Sequence, residues 1–466
     1  MRSPWVLMAA SLGGLSVVLF AMQAGSLSAA QASAVTFHKD VLPLLQQHCQ
    51  TCHRPGEIAP MSFLTYESTR PWARAIKTAV QTKKMPPWFA DAQHGKFSND
   101  RSLKPEEIDT LVNWADGGAA MGDPADAPPP KQWPDGWQIK PDYIVELPPY
   151  TVPADGTVEW AYLVIPSGFT EDTWVTSIEI RPSDRRAVHH AVASIKPHSD
   201  KAPHNEFFWD QKQRDSKGRG VTIGSKTFTS TQRVNAAGAT VSEEIFGGQN
   251  AGIYVPGVPP QNFGAHDAAK LIPANSDLTF NLHYQATGQP VTEVTRIGFT
   301  LAKEAPRRRF VTMAPQPRSI ADRNIFRIPA GESNWASPPV EMTVNVDAEL
   351  AWMMPHMHSR GKDMTYRITY PDGRTEIALH VPRYDFDWQI GYHTLTPLKL
   401  PKGTKVRVDA HFDNSPAKRG NPDATVDVFG GTQTWEEMMN PWFGLLIDPT
   451  VNPDKVMTTS AVAGGG

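Results

Sequence analysis

The sequence predicts a multidomain chain in which a small all-α domain near the N-terminus precedes a mainly β remainder. Its 466 residues exceed one ordinary core, because domains usually contain about 100–200 residues. The 42 prolines and 34 glycines favour many short strands joined by turns. Near the N-terminus, by contrast, Phe37, Val41 and Leu45 follow helical spacing. We therefore expect three folded units.

Acidic and basic residues nearly balance, at a formal net charge of -3. No broad basic surface of the kind that binds a phosphate backbone is expected from such a composition. Nucleic acid is therefore not expected as a partner.

Residues 1–34 are typical of an export signal. Arg2 precedes an apolar run over residues 5–22, and small residues continue to Ala32-Ser33-Ala34, which is typical of a cleavage site. A membrane anchor is the alternative, since the apolar run is nearly long enough to span a bilayer. Both interpretations place the body of the protein in the periplasm or outside the cell, with membrane association only if the segment stays uncleaved.

The string Cys49-Gln50-Thr51-Cys52-His53 has the C-x-x-C-H spacing of a c-type haem attachment site. Two thiols at this spacing reach the two vinyl groups of one haem, and the following imidazole ligates the iron. The chain has no other cysteines, although an exported protein could use disulfides. A redox C-x-x-C pair or half of a zinc site is the alternative. We predict one covalent haem c on Cys49, Cys52 and His53.

Three helices are expected around this haem. The first ends at the motif, and the others are predicted over residues 71–83 and 105–115, the last with Pro105 at its start and Gly117 just past its end. Residues 35–122 are thus predicted to form a small all-α cytochrome c-like domain.

The haem iron needs a second axial ligand, for which Met85 is the preferred candidate. Met85 lies on a loop that Pro86 and Pro87 stiffen, and a thioether is an established axial ligand in cytochromes c. The alternatives, each of which could instead pack or face solvent, are Met61, Met121, His48 and His94.

Two proline-rich breaks divide the remainder of the chain. Residues 123–139 are predicted to be a semi-rigid linker, and a second break, richer in Pro and Arg, covers about residues 305–323. The predicted units are residues 140–305 and 323–450, with a C-terminal tail over residues 451–466.

Histidines stand on two predicted strands. Over residues 342–358 the even positions are apolar and lead into His356 and His358, so both imidazoles are expected on one face. Over residues 278–284 the even positions form a core face, which leaves His283 on the opposite face. The H-x-H spacing can bring two ring nitrogens to one metal.

None of these histidines identifies a metal site alone. An H-x-H pair also occurs on solvated faces, and His283 by itself is typical of an exposed strand. Adjacent His189 and His190 point to opposite faces of a strand unless a bulge or strand end turns one of them. Met438, beside Met439, is by itself typical of a core methionine.

Four short motifs follow one another between residues 140 and 450. They are Val188-His189-His190, Leu282-His283-Tyr284, His356-Met357-His358 followed by Gly361-Lys362, and Gly430-Gly431-Thr432 followed by Glu437-Met438. In order and spacing they resemble the copper type II, ascorbate-dependent monooxygenases, the family of peptidylglycine α-hydroxylating monooxygenase and dopamine β-monooxygenase. The resemblance implies two antiparallel, jelly-roll-like β-sandwich domains that face each other across a solvent-filled cleft.

The resemblance also implies two coppers. The copper site that passes electrons would be formed by His189, His190 and His283. The copper site that activates dioxygen would be formed by His356, His358 and Met438. A soft thioether suits Cu(I) and is rarely a zinc ligand, so Met438 favours copper over a hydrolytic metal.

The chain also departs from this family. Met354 and Trp442 stand where the peptidylglycine enzyme has an arginine and a tyrosine that hold the substrate carboxylate, whereas Asn440 is kept. Without this clamp, a peptide ending in glycine is not expected as substrate. The apolar replacements favour a hydrophobic or aromatic small molecule. No disulfide is expected, because both cysteines are committed to haem.

These features predict an exported copper monooxygenase that hydroxylates a C–H bond of an organic substrate with O2. The substrate supplies two of the four electrons that O2 takes up. The haem would collect the other two from a periplasmic donor or an ascorbate-like reductant and deliver them to the three-histidine copper. A non-catalytic electron-transfer or redox-sensing protein and a peroxide-forming oxidase are the alternatives, and the second, differently ligated copper favours catalysis.

Nine further histidines belong to no motif and are interpreted as surface or packing residues. They are His38, His48, His94, His198, His204, His266, His380, His393 and His411. His266, which lies upstream of His283 in the same segment, is the one expected to support a copper ligand.

Overall fold

The computed structural model describes residues 34–133, 136–156, 160–210, 233–235, 240–241, 248–317, 319–320, 322–431 and 434–459. The predicted export signal, up to residue 33, and the end of the predicted tail lie outside the described residues. Val35–Gly466 form one compact unit. Within the described part of the chain, no helix is long and apolar enough to cross a bilayer.

Among the described residues, the α-helices lie in the N-terminal part. They are α1 (Leu42–His48), α2 (Tyr66–Thr69), α3 (Ala73–Gln81) and α4 (Pro105–Asp116). A π-helical turn at Phe37–Val41 precedes α1. Proline fits the first turn of α4 because an N–H there would have no partner within the helix. The helices pack around the buried side chains of Leu45, Ile76 and Trp114.

The predicted all-α cytochrome c-like domain is wrong. Strands make up 37% of the residues that the structure describes and helical elements 13%, and the four N-terminal α-helices have only 7, 4, 9 and 12 residues. Between α3 and α4 the chain joins strands of the C-terminal half. Phe97 forms a β-bridge with Thr394, and the Ser98 N–H donates to the carbonyl of His393 at 2.9 Å. These hydrogen bonds make the short helices part of a mainly β structure.

The strands begin after the proline-rich linker. The first half of the chain contains β1 (Tyr143–Glu146), β2 (Tyr150–Val152), β3 (Ala161–Pro166), β4 (Thr173–Arg181), β5 (Val188–Pro197), β6 (Phe208–Asp210), β7 (Arg233–Asn235), β8 (Thr240–Val241), β9 (Gln249–Tyr254), β10 (Gln261–Asn262), β11 (Ala268–Ile272), β12 (Ser276–Tyr284), β13 (Val291–Glu293) and β14 (Arg296–Leu301). The second half contains β15 (Arg308–Met313), β16 (Arg327–Ile328), β17 (Trp335–Ala336), β18 (Val340–Val344), β19 (Ala348–His356), β20 (Gly361–Thr369), β21 (Thr375–Val381), β22 (Tyr392–Leu400), β23 (Lys405–Phe412), β24 (Val428–Phe429), β25 (Asn440–Ile447) and β26 (Met457–Thr459).

Three large sheets enclose two hydrophobic cores. The shared sheet has the order β1-β14-β4-β11-β15-β25-β19-β22, with β10 on β4. The first-half sheet has the order β8-β7-β6-β3-β12-β5-β9, and the second-half sheet has the order β21-β20-β23-β18-β26, with β17 on β23. The first core contains Leu163, Ile178 and Leu282, and the second contains Val340, Tyr366 and Leu445.

The shared sheet crosses the predicted domain boundary at residues 305–323. Instead of a break, this segment contains β15, which pairs in parallel with β11 through Ala268 and Arg308 and antiparallel with β25. The two predicted antiparallel sandwiches are therefore not separate, because backbone hydrogen bonds continue from one half to the other.

The predicted strand over residues 342–358 is two strands, β18 and β19. Opposite β25, Leu350 pairs with Leu445 and Trp352 pairs with Gly444, so Ala351 is an extra residue of β19. Such a bulge reverses the alternation of side chains. Leu350 accordingly packs in the second core, whereas Trp352 packs in the first.

Candidate metal centres

Three histidines meet where β5 begins and β12 ends. His283 lies opposite His190, but the next pair is Tyr284 with Val188, so His189 is the bulged residue. The bulge turns two adjacent imidazoles to one side, and the Nδ1 atoms of His189 and His190 lie 3.1 Å apart. One ligand atom from each of the three rings lies within 4.8 Å of the others.

This three-histidine centre fits a transition metal. Two nitrogens at about 2.0–2.1 Å from one tetrahedral metal are separated by roughly 3.3 Å, close to the observed spacing. Burial lowers the pKa of His189, and burial together with the neighbouring histidines lowers that of His190 well below its ordinary value. Both rings are therefore held in the neutral form that binds metal, and imidazole is a ligand that suits copper.

The H-x-H motif ends β19 and enters the following turn. The Nδ1–H of His356 donates to Oε1 of Gln389 at 2.7 Å, and the Nδ1–H of His358 donates to the carbonyl of Glu436 at 2.9 Å. These acceptors fix the tautomer of each ring, so Nε2 carries the lone pair that can bind a metal. Burial lowers the pKa of His356 to about 4.

Met438 and Met439 have different surroundings. Met439 is fully buried in the second core, and its sulfur accepts a hydrogen bond from the Ser337 hydroxyl at 3.0 Å. Met438 is half-buried, and its sulfur lies 3.7 Å from the side-chain nitrogen of Asn440, the residue opposite His356. Met439 is thus the core methionine, and Met438 is the thioether beside the H-x-H strand.

Glu437 joins the two segments of this second centre. Its carboxylate accepts the backbone N–H groups of His358 at 2.9 Å and of Arg360 at 2.7 Å. Burial raises the pKa of Glu437 to about 8, against the opposing effect of these two N–H groups and of the Arg360 charge. The residue after Glu437 is Met438, so the carboxylate fixes the thioether relative to His358.

Aromatic side chains lie between the two centres. The indole of Trp160 has its ring centre 5.2 Å from that of His190 and 6.2 Å from that of His358. The ring of Phe386 lies 5.8 Å from His189 and 6.1 Å from His358. His358 is 0% exposed and His190 5% exposed. The solvent-filled cleft that the resemblance implies is therefore not observed between the described ligands.

Met354 and Trp442 also lie near the second centre. They are opposite each other on β19 and β25, two residues from the His356–Asn440 pair. Met354 is buried in the first core, against which Trp442 packs. The two residues thus place an apolar wall beside His356.

The haem-attachment motif lies beside a cavity of about 930 Å³, which Cys49, Cys52, His53 and Met85 line. This volume lies within the usual range of cofactor sites. The Nδ1–H of His53 donates to the carbonyl of Met61 at 3.3 Å, and the ring stacks on Phe63 at 4.3 Å. That hydrogen bond leaves Nε2 of His53 as the atom that could ligate iron.

Burial affects both cysteines of the motif. Burial raises the pKa of Cys49 to about 12 and also raises that of Cys52. Both cysteines line the cavity beside His53, which is the arrangement that two thioether bonds to one haem need. The residues of this site therefore fit a covalent haem.

The alternatives to Met85 separate into two groups. Met61 and His48 line the same cavity, but His48 also contacts Glu107 at 3.4 Å. His94 and Met121 do not line it. His94 lies with Asp91 and His380, and Met121 is 39% exposed.

Several site residues were missed by the sequence analysis. Gln389, Trp160 and Phe386 belong to no motif, and no spacing signal marks them, because their roles depend on strands distant in sequence. A third cluster, His198, His204 and Asp277, is already hydrogen-bonded internally at 2.9 and 3.0 Å. His266, expected to support a copper ligand, instead lies near the charges of Arg308 and Glu349.

No protein-family model matches the chain, and no curated protein is similar to it. Among solved structures, a peptide-N(4)-(N-acetyl-β-D-glucosaminyl)asparagine amidase matches at 9% identity and a TM-score of 0.23, over 68% of this chain and 93% of that chain. PNGF-II matches at 9% identity and a TM-score of 0.25, over 66% and 65%. Infectious bursal disease virus, Gx strain, matches at 10% identity and a TM-score of 0.16, over 72% and 80%. At TM-scores this low, these structures support no conclusion about the fold or the function of this chain.

Proposed function

We propose that this chain is an exported monooxygenase with one covalent haem c and two coppers, which inserts one oxygen atom from O2 into a C–H bond of an organic substrate. The observation that carries the proposal is the juxtaposition of two different ligand sets, in which His190 and His358 are buried. The indole of Trp160 contacts His190 and His283 of the three-histidine centre and also His358 of the H-x-H motif. Copper bound there would supply O2 activation and one-electron transfer.

Residues around the proposed ligands orient them and limit the access of water to them. Gln389 and Glu436 hold the Nδ1 protons of His356 and His358. Trp160 and Phe386 occupy the space between the two sets and exclude water from it. The ligand orientation is thus set before any metal binds.

A hydrophobic or aromatic small molecule is the proposed substrate class. Met354 and Trp442 present no charge beside His356, so nothing there would clamp a carboxylate. Per turnover the substrate gives two electrons and O2 takes up four. A periplasmic donor or an ascorbate-like reductant supplies the remaining two. The proposal that the protein is exported is based on the signal-like sequence of residues 1–34.

The test uses the full chain loaded with haem and copper. Metal analysis should give one iron and two coppers per chain, and His283→Ala should lose one copper. With labelled O2, a reductant and a panel of aromatic substrates, one labelled oxygen atom should enter the organic product. Oxygen uptake that yields only peroxide, or zinc in place of copper, would overturn the proposal.

A non-catalytic electron-transfer or redox-sensing protein is the second candidate. The observation that favours it is the burial of His190 and His358, one from each ligand set, against Trp160, which leaves little room for a substrate between these two rings. Met438→Leu separates the two functions. In a monooxygenase it should abolish labelled product, whereas Met439→Leu, which changes a core methionine, should retain it. No labelled product from the unaltered protein, with haem and both coppers cycling reversibly, would favour electron transfer.

A further inference from the structure

The loop between β21 and β22 contacts both the haem cavity and the histidine centres. Trp388 lines the cavity beside the C-x-x-C-H motif. Gln389, the next residue, accepts the hydrogen bond from His356. Phe386 lies against His189 and His358. One short segment therefore connects two sites that the sequence places hundreds of residues apart.

Trp388 meets the haem-attachment motif at Gly257. A Cβ atom at Gly257 would lie 3.2 Å from Sγ of Cys52 and 3.9 Å from the indole of Trp388. The thiol and the indole therefore both lie close to the position that a side chain at Gly257 would occupy. Arg101 donates to the carbonyl of Gly257 at 3.2 Å, which holds this wall of the cavity in place.

The connection from Trp388 to His356 is short and fixed. It consists of the peptide bond between Trp388 and Gln389, the buried Gln389 side chain and its 2.7 Å hydrogen bond to the imidazole. Tight turns hold the loop, since the N–H of Trp388 donates to Asp385 and that of Ile390 donates to Trp388, both at 3.0 Å. The indole is therefore coupled to a ligand ring by bonds rather than through space.

A competing connection leads to the three-histidine centre. Tyr254 lines the cavity and lies opposite Ala191, the residue after His190. This route passes through the backbone hydrogen bonds between β9 and β5 and then along the backbone to His190. It ends on the backbone of a ligand residue, whereas the Gln389 hydrogen bond ends on a ligand ring.

We propose that Trp388 and Gln389 carry single electrons from the haem at Cys49, Cys52 and His53 to the copper at His356, His358 and Met438. This inference rests on the proposed function and makes the H-x-H centre, not the three-histidine centre, the point of electron entry. In each transfer one ferrous iron becomes ferric and one Cu(II) becomes Cu(I). A one-electron periplasmic donor then reduces the iron again.

The experiment injects one electron photochemically into the haem of the oxidised, fully loaded full chain. Haem absorbance reports reoxidation, and electron paramagnetic resonance of rapidly frozen samples reports which Cu(II) signal disappears. The Cu(II) signal that is missing from His356→Ala belongs to the H-x-H centre. In the unaltered protein this signal should disappear first. Haem reoxidation should persist in His190→Ala. Earlier loss of the three-histidine signal, or reoxidation that needs His190 but not His356, would overturn the inference.

Variants of the loop test the route itself. Trp388→Leu and Gln389→Leu should each slow haem reoxidation about 10-fold or more, the usual minimum effect of removing a group that supports a ligand. Gln389→Glu retains an acceptor for His356 and should restore most of the rate. Trp335→Leu, which removes another half-buried indole in the second core, should leave the rate unchanged.

Copper content and the haem spectrum are measured for every variant, and the rates of the Trp388, Gln389, Tyr254 and Trp335 variants are compared at equal loading. If copper does not bind the unaltered chain, the proposed function fails. If both metals bind and the rate falls in Tyr254→Phe but not in Trp388→Leu, the electron route alone is overturned.

Discussion

The buried carboxylate of Glu437 accepts the backbone N–H of His358 at 2.9 Å and so joins the turn after β19 to the segment that carries Met438. The same carboxylate accepts the N–H of Arg360 at 2.7 Å. A hydrogen bond between two segments distant in sequence thus sets the position of two proposed copper ligands relative to each other.

Glu437→Gln should destabilise this turn. The amide nitrogen of glutamine cannot accept, so one buried backbone N–H would lose its partner, at a cost of about 1–3 kcal/mol in the free energy of unfolding. Urea denaturation measures the loss, and metal analysis should show weaker copper retention. Glu341→Gln, which removes an exposed ion pair with Arg407, should cost less than about 1 kcal/mol. Equal losses in the two variants would contradict this role.

Gly257→Ala should reduce haem attachment. Gly257 has a φ of +77°, and an added methyl group would crowd Sγ of Cys52. Gly288→Ala is the matched control, because its φ is +85° and no atom lies within 4 Å of the added Cβ. Both changes should cost stability through backbone strain, about 1–3 kcal/mol. Only Gly257→Ala should lower the haem content per chain, and an equal loss in Gly288→Ala would show that strain alone is responsible.

Met85→Leu should change the haem spectrum more than Met61→Leu. Both methionines line the cavity, but the carbonyl of Met61 already accepts the Nδ1–H of His53 on the side of the proximal ligand. Loss of an axial thioether abolishes the sulfur-to-iron charge-transfer absorption and lowers the reduction potential. Absorption spectra and redox titration distinguish the two variants. The same changes in Met61→Leu, with Met85→Leu unaffected, would assign the ligand to Met61.

Lys270 should make stability depend on pH. Its Nζ donates to the Asn250 carbonyl at 2.5 Å and to Thr312 at 2.8 Å, and burial lowers its pKa from 10.5 to about 7. Between about pH 7 and 10.5 the unfolded chain binds a proton that the folded chain does not. The free energy of unfolding should therefore rise with pH in this window, by up to about 1.4 kcal/mol per unit.

Lys270→Met should remove this part of the pH dependence. From pH 7 to pH 9.5 the free energy of unfolding, measured by urea denaturation, should rise more in the unaltered protein than in Lys270→Met. Lys303→Met, at an exposed position, should leave the slope unchanged. A Lys270→Met slope equal to that of the unaltered protein would refute a lowered lysine pKa.

Local spacing was sufficient to predict several elements. The helix predicted over residues 105–115 is observed as Pro105–Asp116, because a proline at its start and a glycine after its end mark both limits. The strand predicted over residues 278–284 is observed as Ser276–Tyr284. These elements depend on residues a few positions apart, which is the range that sequence patterns report.

The sequence by itself determined the C-x-x-C-H motif, the residue types of the histidine and methionine sets, and the apolar replacements at Met354 and Trp442. Only the tertiary structure decided that β11 and β15 join the two halves in one sheet, and that the segment between α3 and α4 forms a β-bridge to that sheet. It also decided which faces the histidines occupy, because the bulges at His189 and Ala351 depend on the register of partner strands. The contact of Gln389 with His356 has the same origin, since a hydrogen bond across 33 positions leaves no periodic trace in the sequence.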